Sequence, residues 1–279
     1  MLRKGDQFLL SAVDPLDVAL PAEALPVQEA RSPQVNWHIP TGSGPALGTQ
    51  EIHVWSANLD EFSHALSEFS SVLSIEERTK AQRYKFPKDH DRFVIQRGLL
   101  RHLLSRYLPV SPAEHKFTRG PRGKPELVAA PGAVRLQFNV SHSCSMALYA
   151  FSQVVAVGVD IELIWPIEDL DNIARNFFAP CEAASLRTLF GTDKLEAFFN
   201  CWTRKEAILK ATGQGISEGV DGVEVTLAPG EPAHVLRVRR NSRAALDWSL
   251  HALQPADGYA AALAYLGRGF PLQCWTFLR

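Results

Sequence analysis

Three acidic residues have the chemistry and the spacing needed to hold a divalent cation. Asp160 and Glu162 end an apolar segment that begins at Val154, and Glu206 follows in a later helical segment. Because side chains alternate along a strand, Asp160 and Glu162 are expected to share one face. Carboxylate oxygens suit Mg²⁺, which in proteins usually keeps some waters and binds substrate phosphates as well. The sequence therefore predicts Mg²⁺-assisted chemistry on a phosphate ester.

An exposed strand end is the alternative for Asp160 and Glu162, since acids are common where strands run into solvent. Two features favour the metal interpretation. The preceding residues are apolar on both faces, which predicts a central, buried strand. Gly158 lies on the same face as the two acids and is expected to leave room for a ligand.

Glu206 interrupts an apolar helical stripe, at a position where another leucine would be expected. Burial of an unpartnered carboxylate costs several kcal/mol, and a bound cation would remove that cost. The alternative is an exposed ion pair with Lys210, one turn later, worth about 0.3–0.5 kcal/mol. Lys210 is either a surface lysine or a cation that neutralises charge on a leaving phosphate. The stripe consists of Leu195, Phe198, Phe199, Trp202 and Leu209.

A basic stretch offers candidate ligands for a polyanion such as a multiply phosphorylated nucleotide, although solvated helix faces explain such residues equally well. Lys124 adds a further cation in a loop rich in Gly and Pro. The stretch comprises Arg78, Lys80, Arg83, Lys85, Lys88, Arg92, Arg97, Arg101 and Arg106.

The segment Phe138–Ser143 predicts a strand that runs into a polar turn. Adjacent strand residues point in opposite directions, so Ser141 cannot easily use His142 as a base for nucleophilic catalysis. His142 is either structural or a donor to a phosphate oxygen. The chain has no G-x-S-x-G, P-loop or G-x-G-x-x-G motif, so any phosphate must be held by side chains and metal.

The elements that position these residues predict an α+β protein. Residues 1–48 read as an extended, partly ordered arm rich in Pro, Ala, Gly and Ser, followed by an N-terminal half at 49–165 and a C-terminal half at 166–279. Each half combines helices with antiparallel strands in a similar order, which suggests a pseudo-duplication. Ser74 and Glu77 form a predicted capping box. Gly213 and Gly215 are expected to end the helix that carries Glu206.

The bulk composition excludes several classes of protein. The net charge of −1 gives no general attraction to nucleic acid or anionic lipid. No apolar run reaches the roughly 20 residues of a membrane span, and no signal peptide is apparent. Four cysteines lack zinc-site spacing. We therefore expect a cytoplasmic protein that binds neither nucleic acid nor membrane.

Taken together, these segments resemble the 4′-phosphopantetheinyl transferases of the larger, surfactin-synthetase-activating (Sfp) type. The resemblance covers roughly residues 51–265. It implies a pseudo-dimer of two α+β halves, each a mostly antiparallel sheet packed on helices, with coenzyme A in the cleft between them. The matching segments, in the order of the family, are Arg92, Gly123–Pro125, Phe138–Ser143, Gly158–Glu162 and Trp202–Lys210.

The resemblance also implies a role for each site residue. Asp160, Glu162 and Glu206 would bind Mg²⁺, and Glu206 would also accept the proton of an attacking serine. Lys210 would stabilise the departing 3′,5′-ADP. The residues implied to contact coenzyme A are Lys88, Arg92, Lys124, Ser141, His142 and Asp160.

The implied partner is an apo carrier protein (acyl, peptidyl or polyketide) that supplies the serine, and the enzyme is expected to act as a monomer. Two other functions stay open at this point. One is a carrier-protein binding module without catalysis. The other is a metal-dependent nucleotide-sugar transferase, which would need a βαβ nucleotide fold.

Overall fold

The computed structural model describes residues 35–42, 44–120, 124–128, 135–213, 222–238 and 242–278. Most of the predicted arm at 1–48, and Gly215, therefore lie outside the described residues. The strands are β1 (Trp37–His38), β2 (Ile52–Asn58), β3 (Phe117–Arg119), β4 (Pro125–Leu127), β5 (Gln137–Ser143), β6 (Met146–Ser152), β7 (Val157–Leu163), β8 (Val223–Val225), β9 (Val235–Val238), β10 (Trp248–Leu253), β11 (Tyr259–Leu266) and β12 (Leu272–Thr276). The α-helices are α1 (Leu66–Ser71), α2 (Ile75–Ala81), α3 (Pro87–Tyr107), α4 (Leu170–Phe177), α5 (Pro180–Arg187) and α6 (Gly191–Thr212).

Two sheets form the centre of the molecule. The first sheet has the strand order β1-β12-β2-β6-β5, in which β12 runs parallel to β2 and the β2–β6–β5 pairs are antiparallel. The second sheet has the order β10-β11-β7 and is antiparallel throughout. The predicted α+β class, with mostly antiparallel sheets and helices packed on them, is confirmed.

Helix α3 covers one face of the first sheet because its apolar residues repeat at helical spacing. Leu99, Leu100, Leu103 and Leu104 are fully buried on this face. Helix α2, which precedes α3, begins directly after Ser74, and the predicted capping box is confirmed. The Glu77 amide donates to Ser74 Oγ at 3.2 Å, and the Ser74 amide donates to Glu77 Oε2 at 3.0 Å.

The two sheets pack face to face and share a hydrophobic core. Alternate residues of β2 divide between two environments, as the strand period requires. Val54 joins the core between the sheets, together with Val159 and Leu263 of the second sheet, whereas Trp55 packs toward α3. The halves are therefore joined by a continuous apolar interior.

Strand exchange links the two halves. The predicted boundary between residues 165 and 166 stays a prediction. Two strands nevertheless join the sheet of the other half: β7 precedes the boundary and joins the second sheet, while β12 follows it and joins the first.

The interpretation of β7 as a central strand was wrong. Among the described residues its main chain pairs with β11 alone, and it is buried because β5 of the first sheet lies beside its other edge.

Candidate active site

A row of polar side chains on β5 faces the unpaired edge of β7. The Asn139 side-chain oxygen accepts the Val159 amide at 2.8 Å, and the Ser143 hydroxyl oxygen accepts the Leu163 amide at 3.1 Å. The residue between them, Ser141, donates to Asp160 Oδ1 at 2.8 Å. These three side chains replace a main-chain ladder and join the two sheets where the acidic residues lie.

Helix α6 lies on the face of β7 that carries Asp160 and Glu162. Gly158 permits this close approach, since a Cβ there would collide with the backbone of Ala207 and Ala211 in α6. The expectation that Gly158 leaves room for a ligand was therefore wrong. The space is filled by helix backbone, and the consequence is that α6 brings Glu206 and Lys210 against the acids of β7.

Glu206 is half-buried, and its Oε1 is a buried acceptor without a hydrogen-bond partner among the described residues. Burial, followed by the nearby charge of Asp160, raises the pKa of Glu206 to about 7, while Lys210 opposes the rise. The alternative of a surface ion pair with Lys210 is not observed. In the described part of the chain, Lys210 instead binds another carboxylate.

Lys210 bridges the two halves at the bottom of the site. Its Nζ donates to Asp160 Oδ1 at 2.6 Å and to Ser141 Oγ at 3.0 Å. Burial favours the neutral amine, but Asp160 and Glu206 outweigh it and raise the pKa of Lys210. Lys210 is thus a charged residue within the site and not a solvated surface lysine.

Glu162 accepts a hydrogen bond from Ser143 Oγ at 2.9 Å through its Oε2. Its pKa is raised to about 8, first by burial and then by repulsion from Asp160, with a smaller contribution from Glu206. The carboxyls of Glu162 and Glu206 therefore ionise less readily beside Asp160, and all three acidic side chains lie near a single lysine. This is an arrangement that a further cation would stabilise.

The carboxylates fit a divalent ion for which the protein supplies only some of the ligands. Asp160 Oδ2 and Glu206 Oε1 are both buried and unpartnered among the described residues. Within those same residues, no group of three or more His, Cys, Asp or Glu side chains is arranged to hold a metal ion, so Asp160, Glu162 and Glu206 do not form a ready-made three-ligand site. Mg²⁺ suits this pattern, because it is usually bound by one or two carboxylates together with substrate phosphates and waters.

His142 lies on the exposed face of β5, opposite the buried Ser141, so the predicted absence of a Ser–His dyad is confirmed. Although part of this side chain is exposed, desolvation by the surrounding protein is the largest cause that lowers the pKa of His142 from 6.5 to about 4, followed by the charges of Lys210, Lys80 and Arg92. The imidazole is therefore neutral at pH 7 and borders a group of cations. Such a group favours an anionic ligand.

Arg92 and Lys88 share one carboxylate. Arg92 donates to Asp60 from Nε at 2.8 Å and from Nη2 at 2.9 Å, and Lys88 Nζ lies 3.3 Å from Asp60 Oδ2. Other cations of the predicted basic stretch have structural partners. Arg97 and Arg101 bind Glu77, so they are not available to a ligand.

Lys124 contacts the protein itself. Its Nζ donates to the Lys210 carbonyl at 2.7 Å and to the Val157 carbonyl at 3.2 Å, which commits two of its three N–H groups. The Lys210 carbonyl lies in the last turn of α6. The ammonium group of Lys124 therefore complements the negative end of the helix dipole. A contact with nucleotide phosphate stays a prediction for this residue.

A buried ion pair anchors α6 from the opposite side. Lys205 Nζ lies 2.7 Å from Glu182 Oε2, and both side chains are almost fully buried. Glu182 also accepts the amides of Ala179 and Val225 at 2.8 Å, and Lys205 donates to the Val223 carbonyl. The residue before Glu206 therefore fixes the helix to α5 and β8.

Sequence reasoning missed three residues of this site: Asn139, Ser143 and Asp60. A signal existed for the first two, because Asn139, Ser141 and Ser143 are polar at every second position of one strand. No local signal identifies Asp60 as a neighbour of the cleft, since its position depends on how α3 packs against the helix after β2.

Comparisons with known proteins match both halves of the chain. A model of the 4′-phosphopantetheinyl transferase superfamily matches residues 156–264. A second model, described as 4′-phosphopantetheinyl transferase, N-terminal, matches residues 53–153. The chain is 38% identical to the 4′-phosphopantetheinyl transferase HetI of Nostoc sp. over 244 residues, which is 88% of this chain and 99% of the relative.

Two further relatives match over a shorter region. The 4′-phosphopantetheinyl transferase Sfp of Bacillus subtilis is 31% identical over 159 residues, which is 57% of this chain and 68% of the relative. A phosphopantetheinyl transferase of Thraustochytrium sp. is 33% identical over 166 residues, covering 56% of this chain and 57% of the relative.

Proposed function

The chain belongs to the 4′-phosphopantetheinyl transferase family, and from this premise we propose how its own residues carry out the transfer. The enzyme moves the 4′-phosphopantetheine group of coenzyme A to a carrier protein. A serine oxygen of the carrier attacks the phosphorus that bears pantetheine, the pyrophosphate P–O bond breaks, and 3′,5′-ADP leaves with the electron pair.

Glu206 is the proposed proton acceptor for the attacking serine. The observation that carries this role is its buried, unpartnered Oε1, in a carboxyl whose pKa is raised to about 7. A bound Mg²⁺ would favour the ionised form of this carboxyl, which is the form that can accept a proton. Glu206 accepts that proton directly or through a water molecule.

Asp160, Glu162 and Glu206 are the proposed Mg²⁺ ligands, with the remaining coordination left to water and coenzyme A pyrophosphate oxygens. When bound, the ion neutralises charge on the pyrophosphate and on the leaving group. Support comes from the orphaned oxygens of Asp160 and Glu206. Ser143 orients Glu162 through the 2.9 Å hydrogen bond between them.

Lys210 is proposed to stabilise the departing 3′,5′-ADP. Its ammonium is charged, held at the floor of the site by Asp160 and Ser141, and connected to both sheets. An ammonium fixed in advance beside the position of developing negative charge lowers the barrier without further reorganisation. Arg92, Lys88, His142 and Lys80 form the proposed surroundings of the nucleotide phosphates.

The nucleophile is proposed to belong to the partner, which agrees with a site whose described residues offer an acceptor for a proton but no activated serine or cysteine. We propose an acyl, peptidyl or polyketide carrier as that partner and a cytoplasmic monomer as the working form. Among the described residues, no helix is both long and apolar enough to cross a bilayer.

Mass spectrometry of an apo carrier protein tests the function. The carrier is incubated with the enzyme, coenzyme A and Mg²⁺, and we expect a mass gain of one phosphopantetheine group on its serine. An unchanged mass, while a control transferase modifies the same carrier, would leave only the hypothesis of a non-catalytic binding module. The nucleotide-sugar transferase hypothesis is disfavoured, because the sheets formed by the described residues are mostly antiparallel and show no βαβ arrangement of the kind it requires.

A further inference from the structure

Asp60 is an acidic residue placed among the cations that border the proposed nucleotide site. It lies in the first turn of the 3₁₀ helix Leu59–Ala65, which directly follows β2. Its two oxygens accept from Nε and Nη2 of Arg92 at 2.8 and 2.9 Å, and Lys88 Nζ lies 3.3 Å away. A carboxylate here either competes with a phosphate for Arg92 or prepares Arg92 to receive one.

The geometry of the contact decides between these roles. A guanidinium has five N–H groups in a planar fork, and Asp60 binds it side-on, through Nε and one N–H of Nη2. In the described part of the chain, no hydrogen bond uses Arg92 Nη1. The terminal edge formed by Nη1 and the second N–H of Nη2 is therefore still available for a bidentate contact with phosphate.

The position of Arg92 places that guanidinium beside the cleft. Its charge acts on His142 in β5, and it also lies near Cys144 in the β5–β6 turn and Tyr259 in β11. The groups around it thus come from both halves of the molecule. Arg92 is also largely buried, with 11% of its side chain exposed, so its guanidinium cannot swing freely into solvent.

We propose that Asp60 is a positioning residue that holds Arg92 side-on, so that the terminal edge of the guanidinium stays directed at a phosphate of the bound nucleotide. This inference rests on the proposed function, since it takes the ligand to be coenzyme A. Ordering a free arginine side chain on binding costs conformational entropy, and a partner already in place removes most of that cost. Lys88 stays on the far oxygen of Asp60 and partly offsets its negative charge.

The test is a double-mutant cycle between Asp60→Asn and Arg92→Lys, with binding of 3′,5′-ADP measured by calorimetry. This probe keeps the nucleotide phosphates and lacks pantetheine. We expect Asp60→Asn to weaken 3′,5′-ADP binding about tenfold, which corresponds to 1.4 kcal/mol, because the side-on pair is lost. In the Arg92→Lys background, the same change should have less than about a twofold effect. The KM for coenzyme A should rise in parallel, with kcat nearly unchanged.

Glu61→Gln is the matched control, because it removes the same charge from the next residue, whose carboxylate binds Asn58 at 3.1 Å and not Arg92. It should leave 3′,5′-ADP affinity within about twofold. Tighter binding by Asp60→Asn would identify Asp60 as a competitor, and additive effects in the cycle would show that it does not act through Arg92. Either result overturns the inference. Failure of the proposed function is seen separately, as an unmodified carrier with the parent enzyme.

Discussion

Lys210 Nζ lies 2.6 Å from Asp160 Oδ1, so the cation proposed to face the leaving group is bonded to a carboxylate proposed to bind metal. Both partners come from elements that the Gly158 contact holds together, α6 and β7. The lysine neutralises part of the acidic cluster, and a divalent ion would have to share Asp160 with it. Metal affinity and leaving-group stabilisation are therefore coupled through one side chain.

This coupling predicts opposite effects of Lys210→Met on binding and on rate. Removal of the neighbouring positive charge should tighten Mg²⁺ binding in the absence of coenzyme A by at least about tenfold, while transfer becomes much slower. Calorimetric or thermal-shift titration with Mg²⁺ measures the first effect, and carrier modification measures the second. Lys85→Met, which makes the same substitution at an exposed lysine, is the control. Weaker Mg²⁺ binding by Lys210→Met would contradict this account of the site.

Glu206→Gln should abolish most of the transfer while the protein stays folded. The amide keeps the shape of the side chain but cannot accept the serine proton, and loss of a general base costs about 10²–10⁴-fold in rate. Single-turnover measurement of carrier modification at saturating Mg²⁺ detects the loss, and circular dichroism checks the fold. A variant with nearly normal turnover would show that Glu206 is neither the base nor a required ligand.

The raised pKa values predict how stability depends on pH when metal is removed. The pKa of Glu162 is about 8 and that of Glu206 about 7, so between pH 4.5 and 8 the folded protein binds more protons than the unfolded chain. Their contribution to stability is therefore present near pH 4.5 and is lost as the pH rises to 8.

A comparison with Glu162→Gln/Glu206→Gln isolates this effect from all other titrating groups. In EDTA, the Tm of the parent should fall below that of the double variant as the pH rises from 5 to 8. Mg²⁺ should raise the Tm of the parent more at pH 8 than at pH 5.5, because the ligands must be deprotonated. A difference in Tm that does not change with pH would argue against the electrostatic description of the cluster.

Lys124→Met separates a positioning role from phosphate binding. If the contact with the Lys210 carbonyl matters, the variant should lose about 1 kcal/mol of stability and show a lower kcat, with little change in the KM for coenzyme A. Direct contact with phosphate would instead raise that KM and leave the unfolding free energy intact. Lys116→Met, at an exposed lysine in the same hairpin region, controls for the loss of charge.

Glu182→Ala should be strongly destabilising, by about 3–5 kcal/mol, because it leaves Lys205 charged and buried without its partner carboxylate. Denaturant-induced unfolding measures the change. The comparison is Arg237→Ala, which removes one partner of the largely exposed 3.5 Å pair with Glu224 and should cost less than about 1 kcal/mol. Similar losses for both variants would mean that the buried pair contributes no more than a surface pair.

Local patterns predicted the elements well, because they depend on residues close in sequence. The capping box at Ser74 and Glu77 and the apolar periodicity of α3 and α6 each follow from neighbouring residues. The position of Glu206 inside an apolar stripe also indicated a buried carboxylate as one of two alternatives, and the structure shows a half-buried one. The α+β class followed from the same elements.

The arrangement of these elements in space could not be obtained in the same way. Nothing near Gly158 says that a helix backbone will lie against it, and nothing near Lys210 indicates that its partner will be Asp160 and not Glu206. Both relationships depend on which face of α6 meets β7. The role of Asp60 depends similarly on the packing of α3 against the turn that follows β2.

The parallel pairing of β12 with β2 has a consequence for biosynthesis. During translation, β2 leaves the ribosome long before β12. The edge of β2 that pairs with β12 therefore stays unpaired while the intervening residues are synthesised. The first sheet therefore cannot be completed cotranslationally in the order of its strands. A nascent chain arrested before β12 should be recognised by chaperones and cut by proteases at its N-terminal half, although every residue of that half has already been synthesised.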